Sequence, residues 1–224
     1  MSRKLNIFEK RTRRLSGLGY LLQLAPFVKA VILTGSMTRG ENNFFSDIDL
    51  LIITTPRRLY TARFFATFWA AVTGWRRKPN DENPAGKFCL NYYLTSNNLD
   101  ILPHTADCAK HHRQIIRLWD RDGEFERIYR ENFWLYKYNF KIADEEKVRR
   151  LKSIFPLDRL LLFSIIRRPW EWILSAGIGE RFENFISVWQ IKKITSTELY
   201  KLNSKTIIVS PNELRFHPKK KLTN

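Results

Sequence analysis

The stretch that decides the fold is Val31-Ile32-Leu33-Thr34-Gly35-Ser36, followed after ten residues by Asp47-Ile48-Asp49-Leu50-Leu51-Ile52-Ile53. Each half pairs a β-branched, apolar run with a small or charged punctuation mark. That pattern predicts two buried strands with a turn at Gly35 between them. Asp47 and Asp49 stand at i and i+2 on the second strand, so both carboxylates point to the same side. Two like charges on a hydrophobic strand repel unless a cation or solvent neutralises them. Oxygen ligands of this kind suit Mg²⁺ or Mn²⁺. A Gly-Ser turn after a strand exposes backbone N–H groups and a hydroxyl, which suit a phosphate. The combination reads as a metal–triphosphate site, although either half alone is commonplace as a turn or a strand end.

Outward from this core, Val28 to Thr34 and Asp47 to Thr54 are the two strands, and Ser36 to Asn43 is a short connection. Residues 1–28 start basic and continue as a helix, with Leu15, Leu18, Leu21, Leu22 and Leu24 near helical spacing. Arg58 to Thr73 reads as a helix capped by Gly74. Asn80 to Gly86 is a polar loop. Lys87 to Thr95 reads as a third strand, in which Phe88, Leu90, Tyr92 and Leu94 alternate with Cys89, Asn91, Tyr93 and Thr95. Leu99 to Leu102 fits either a fourth strand or a helix start. From about His104 the pattern is mostly helical: Ile115, Ile116, Leu118 and Trp119 form one patch, and Phe182, Phe185, Ile186 and Trp189 mark a helix face. Thr206 to Ser210 is the only later strand-like run. Leu160 to Ala176 reads as a core helix interrupted by Pro169, with a membrane-surface helix as the alternative.

Gly35-Ser36-Met37-Thr38-Arg39-Gly40 with Ser46-Asp47-Ile48-Asp49-Leu50-Leu51-Ile52 resembles the signature of the DNA polymerase β-like nucleotidyltransferase superfamily. The resemblance implies an α+β fold: a small mixed β-sheet nucleotidyltransferase core with helices at residues 1–103. A mainly helical C-terminal domain with a basic tail then fills 104–224. It further implies Mg²⁺ (or Mn²⁺), an NTP substrate, and transfer of NMP to a hydroxyl acceptor with release of pyrophosphate. By that likeness Asp47 and Asp49 are catalytic metal ligands, Gly35 and Ser36 grip the phosphates, and Arg39 supports them. Most active members carry a third carboxylate on the next strand, often as general base for the incoming hydroxyl. Here the matching inward residue is expected to be Asn91, which can bind a metal but cannot take a proton at neutral pH. Activation of the acceptor hydroxyl would then fall to the metals, to Asp49 alone, or to nothing. The last case describes a weak or inactive nucleotide- or RNA-binding relative. Phe88 to Thr95, Leu118 to Asp120, Glu131 to Trp134 and Leu214 to Pro218 loosely resemble a bacterial and archaeal branch of the same superfamily. That likeness brings no substrate with it.

The chain has 224 residues and a formal net charge of +17. Residues 1–14 contribute +5 and residues 215–224 contribute +4. Such a balance favours a polyanionic partner, and the basic termini are candidates for nucleic-acid contact. A hydrophobic fraction of 44% and aromatic content of 14% exclude a largely disordered chain. Two cysteines make no disulfide framework, so a cytoplasmic setting is expected. No run reads as a membrane span. Cys108, His111 and His112 share a helix face without a fourth zinc ligand. No serine has a nucleophile-elbow context. The acceptor, whether small molecule, protein or RNA, is not written in the sequence.

Overall fold

The computed structural model describes residues 7–41, 46–77, 81, 85–139, 145–155, 157–158, 161–204 and 206–216. The tail carrying His217 and Lys219 to Lys221 lies outside the described residues, as do parts of the loops at 42–45, 78–80 and 82–84.

Helix α1 (Ile7–Leu21) leads through a 3-10 turn at Leu22–Leu24 into strand β1 (Val28–Thr34). Strand β2 (Ile48–Thr54), helix α2 (Leu59–Val72) and strand β3 (Phe88–Thr95) follow. Next come α3 (Ala106–His112), β4 (Ile116–Asp120), α4 (Glu124–Glu131) and a 3-10 stretch at Phe133–Lys137. The rest is α5 (Glu145–Ile154), α6 (Leu161–Ser175), α7 (Gly177–Thr195), α8 (Glu198–Asn203), β5 (Ile208–Val209) and β6 (Glu213–Arg215). The mixed α/β character and the helical C-terminal region agree with the sequence reading.

The six strands form one mixed sheet in the order β4-β1-β2-β3-β6-β5. Strands β1 and β2 are antiparallel, β2 and β3 parallel. Both faces are covered, which is why β1 and β2 read as almost continuous apolar runs. On one face Val31, Leu33, Ile48, Leu50 and Ile52 pack with α1, α2 and parts of α5, α6 and α7. On the other, Ala30, Ile32, Leu51 and Ile53 pack with Ala109 of α3, Ile128 of α4, Trp134 and Leu135. The sheet draws on both halves of the chain, since β4, β5 and β6 all come after residue 104.

Four local readings change. Ile116 to Asp120 is strand β4, not part of a helical pattern. A register shift opposite Val31 and Ile32 puts Leu118 and Trp119 in the same core, and this breaks the period-two signature. Leu99 to Leu102 is neither strand nor helix. The Asn132 side chain holds it instead, accepting from the Ile101 N–H at 2.7 Å and donating to the Leu99 carbonyl at 2.7 Å. In β3 the alternation fails midway: Asp49 faces Cys89, but Leu51 faces Tyr92, so β3 has one extra residue here. Consequently Phe88, Leu90 and Tyr93 share one core while Tyr92 and Leu94 share the other. Finally, α6 continues through Pro169 and is not a core helix, because most of its apolar side chains are exposed.

The helical region is tied to α2 by buried polar contacts. The Glu183 carboxylate of α7 accepts from the Tyr60 and Thr61 N–H groups at 2.9 and 2.8 Å. These are donors in the first turn of α2 that no intrahelical carbonyl can meet. The Gln190 amide donates to the Tyr60 carbonyl at 2.9 Å.

Candidate active site

Gly35 ends β1 with φ +78°, a left-handed backbone conformation that favours glycine. A Cβ there would fall 2.3 Å from the Asp49 Oδ2 atom, so the turn leaves room for that carboxylate only as glycine. The Thr38 hydroxyl donates to the Gly35 carbonyl at 2.8 Å, and the Glu41 N–H donates to the Ser36 carbonyl at 3.0 Å. The Gly35 N–H points to the His111 carbonyl at the end of α3, 3.4 Å away. Ser36 is half-buried within this sequence of turns.

Asp47 immediately precedes β2 and Asp49 is its second residue. Asp49 pairs across the sheet with Thr34 on one side and Cys89 on the other. One ligand atom each from Asp47, Asp49 and Cys89 lies within 4.8 Å of the others. Burial, reinforced by the neighbouring Asp47 charge, pushes the Asp49 carboxyl up to about 7, against the pull of Arg77 and Arg39. Burial, and then the same two carboxylates, drives the Cys89 thiol well above its ordinary range. Exposed Arg77 forms an ion pair with Asp47 and lies 3.9 Å from the Cys89 sulfur.

Arg39 is buried. It donates to Glu41 at 2.7 Å and to the Lys110 carbonyl at 3.1 Å, and its charge favours the ionised form of Asp49. The basic N-terminal helix also serves this corner. Arg11 is buried and donates to the Ser46 carbonyl at 2.7 Å, while Arg14 donates to the Gly86 carbonyl at 3.2 Å. The Gly86 N–H in turn donates to Ser46 at 3.1 Å, so α1 clasps the two loops that flank the acidic pair.

The structure therefore brings Gly35, Ser36, Asp47 and Asp49 to one corner, with Arg39 packed behind. Asn91 lies two residues beyond Cys89, buried at the irregular point of β3, and its backbone carbonyl accepts from the Phe216 N–H at 3.0 Å. Reading the sequence overlooked Cys89 and Arg77. A parallel β2–β3 register would have identified Cys89, whereas nothing in the local sequence marks Arg77. His112, which the sequence places on one helix face with Cys108 and His111, is buried beside Tyr92 and Cys108.

The donor set fits a small hard cation through the two carboxylates. The thiol, held protonated, is a poor partner for Mg²⁺. Gly35 follows the end of β1, and Asp47 and Asp49 stand just before and within the start of β2.

Residues 17–84 match the nucleotidyltransferase domain family. The match covers both Gly35-Ser36 and Asp47-Asp49, and it is consistent with the polymerase β-like nucleotidyltransferase superfamily. A domain of this family supports nucleotide transfer as the general class of activity. No curated protein and no solved structure gives a significant match to the chain.

Proposed function

We propose that this chain is a metal-dependent nucleotidyltransferase that moves an NMP group from an NTP to a hydroxyl acceptor. The observation that carries this reading is the packing of Asp49 against Gly35, within a segment that matches the nucleotidyltransferase domain family. Asp47 and Asp49 hold Mg²⁺ or Mn²⁺. An ion held by these two carboxylates would supply charge stabilisation to the triphosphate during displacement at the α-phosphorus. Ser36 on the turn receives the outer phosphates, Gly35, whose N–H meets the His111 carbonyl, shapes that turn, and Arg39 holds it in place while offsetting the carboxylate charge. The acceptor oxygen bonds to the α-phosphorus as the α–β anhydride bond breaks. Its electron pair leaves with pyrophosphate, and the hydroxyl proton passes to water. The acceptor is a small molecule, a protein or an RNA; the basic termini suit the last. A cytoplasmic setting belongs to the same reading.

The test is NTP turnover over a panel of acceptors, with Mg²⁺ or Mn²⁺, comparing the parent chain with Asp47→Ala. Turnover confined to the parent supports the proposal, and equal turnover in both overturns it.

A second reading is favoured by one observation: Cys89 is the residue that stands beside Asp49 on the adjacent strand, where a carboxylate would serve as base. On this reading the chain binds nucleotide or RNA and does not release pyrophosphate. Binding without turnover on every acceptor would select it.

A further inference from the structure

Helix α6 is turned inside out. The side facing the molecule carries Ser164, Arg167, Glu171 and Leu174, three of them polar. Arg167 is buried, donating to the Gln23 carbonyl at 2.8 Å and pairing with Glu171 at 3.4 Å. Glu171 also accepts from the Phe27 N–H at 2.9 Å and from Arg121 at 2.6 Å. These contacts fix the rotation of the helix. The opposite side, at helical spacing, presents Leu162, Ile165, Ile166, Pro169, Trp172 and Ile173 to solvent. Trp172 is 79% exposed and Ile165 66% exposed.

We propose that this face of α6 lies on an anionic lipid bilayer. An apolar stripe held outward by buried polar anchors is a contact surface awaiting an apolar partner. The residue types suit a bilayer interface: branched aliphatics to enter the acyl boundary, with tryptophan and arginine at its edge. Arg168 is exposed on α6 itself. Helix α7, which packs against α6, exposes Phe185 and Val188 together with Arg181, Lys192 and Lys193. Its acids do little to offset them: Glu183 is buried against α2, and Glu180 is paired with Arg57. The chain as a whole carries +17. That charge attracts an anionic surface and opposes stacking of two copies face to face. The helix lies on the bilayer and does not cross it. Its 15 residues reach about 22 Å, short of a hydrocarbon core of roughly 30 Å. No described helix is long and apolar enough to span one.

The experiment is co-sedimentation of the full chain with phosphatidylcholine vesicles, with and without phosphatidylglycerol. The double variant Ile165→Glu/Trp172→Glu runs alongside, its fold checked by circular dichroism. We expect binding to anionic vesicles, weakened by salt and reduced at least about tenfold in the variant. Trp172→Ala, a milder change, should give an intermediate loss, and brominated lipid should quench the parent more than this variant. Equal binding by parent and double variant overturns the proposal. So does equal binding to vesicles lacking phosphatidylglycerol. Absence of vesicle binding, with a dimer that the double variant abolishes, overturns it in favour of self-association.

Discussion

At the acidic corner, the apolar side chains of β1, β2 and β3 point into two cores while the carboxylates gather at one end of the sheet. Along α6 the order is reversed, with polar groups inward and apolar groups outward. In the corner, half-buried carboxylates stand against burial and each other: Arg77 and Arg39 offset Asp49 only in part, and Gly35 leaves space for it. In α6, buried charge serves as a fastening: Arg167, Glu171 and Arg121 bind backbone groups and one another. On the proposed reading, the same residue types thus mark chemistry in one place and architecture in the other. What separates them is the neighbour. Like charges stand side by side in the corner, and opposite charges meet beneath α6.

The largest effect that would break this comparison is on catalysis. Asp49→Ala should reduce NTP turnover by at least about a thousandfold, as expected when a transition-state charge partner is lost. Circular dichroism of the variant should be unchanged. By contrast, Arg167→Ala should leave turnover near parental and lower thermal stability, because it leaves buried carbonyl and carboxylate groups unmet.

Next in size is Gly35→Ala. The positive φ and the collision with Asp49 should together cost about 1–3 kcal/mol in denaturant unfolding. NTP binding should weaken as well.

The pH dependence of stability comes third. In the folded, metal-free chain the Asp49 carboxyl titrates near 7, against 3.8 ordinarily. Between those values the unfolded chain binds fewer protons, so stability falls as pH rises through that window. Asn at this position has no proton to titrate. Asp49→Asn should flatten the window and stabilise the metal-free chain above it by on the order of 1–2 kcal/mol.

A smaller change sharpens the corner itself. Cys89→Asp supplies a third carboxylate and should raise turnover about tenfold, less than the roughly hundredfold or more that a fully positioned base contributes. Asn91→Asp should not, because Asn91 lies past the point where β3 gains its extra residue.

The corner was largely legible because its signals are local. Val28 to Thr34, Asp47 to Thr54 and Arg58 to Thr73 each carry period and punctuation together. The third position was not legible. Choosing Cys89 over Asn91 required the parallel register of β2 and β3, and an irregularity one residue long moves every later side chain across the sheet. The same cause hid β4, where a register shift places Leu118 and Trp119 on one side. In α6 the apolar count suggested a core helix, and composition alone is blind to direction. The outward rotation is set by Gln23, Phe27 and Arg121, all distant in sequence.

The central claim is that Asp47 and Asp49 form a metal–nucleotide site. Calorimetric titration of Mn²⁺ with NTP into the parent chain and into Asp47→Asn/Asp49→Asn tests it most directly. The account predicts metal-dependent nucleotide binding to the parent and none to the double variant. Equal binding by both would contradict it.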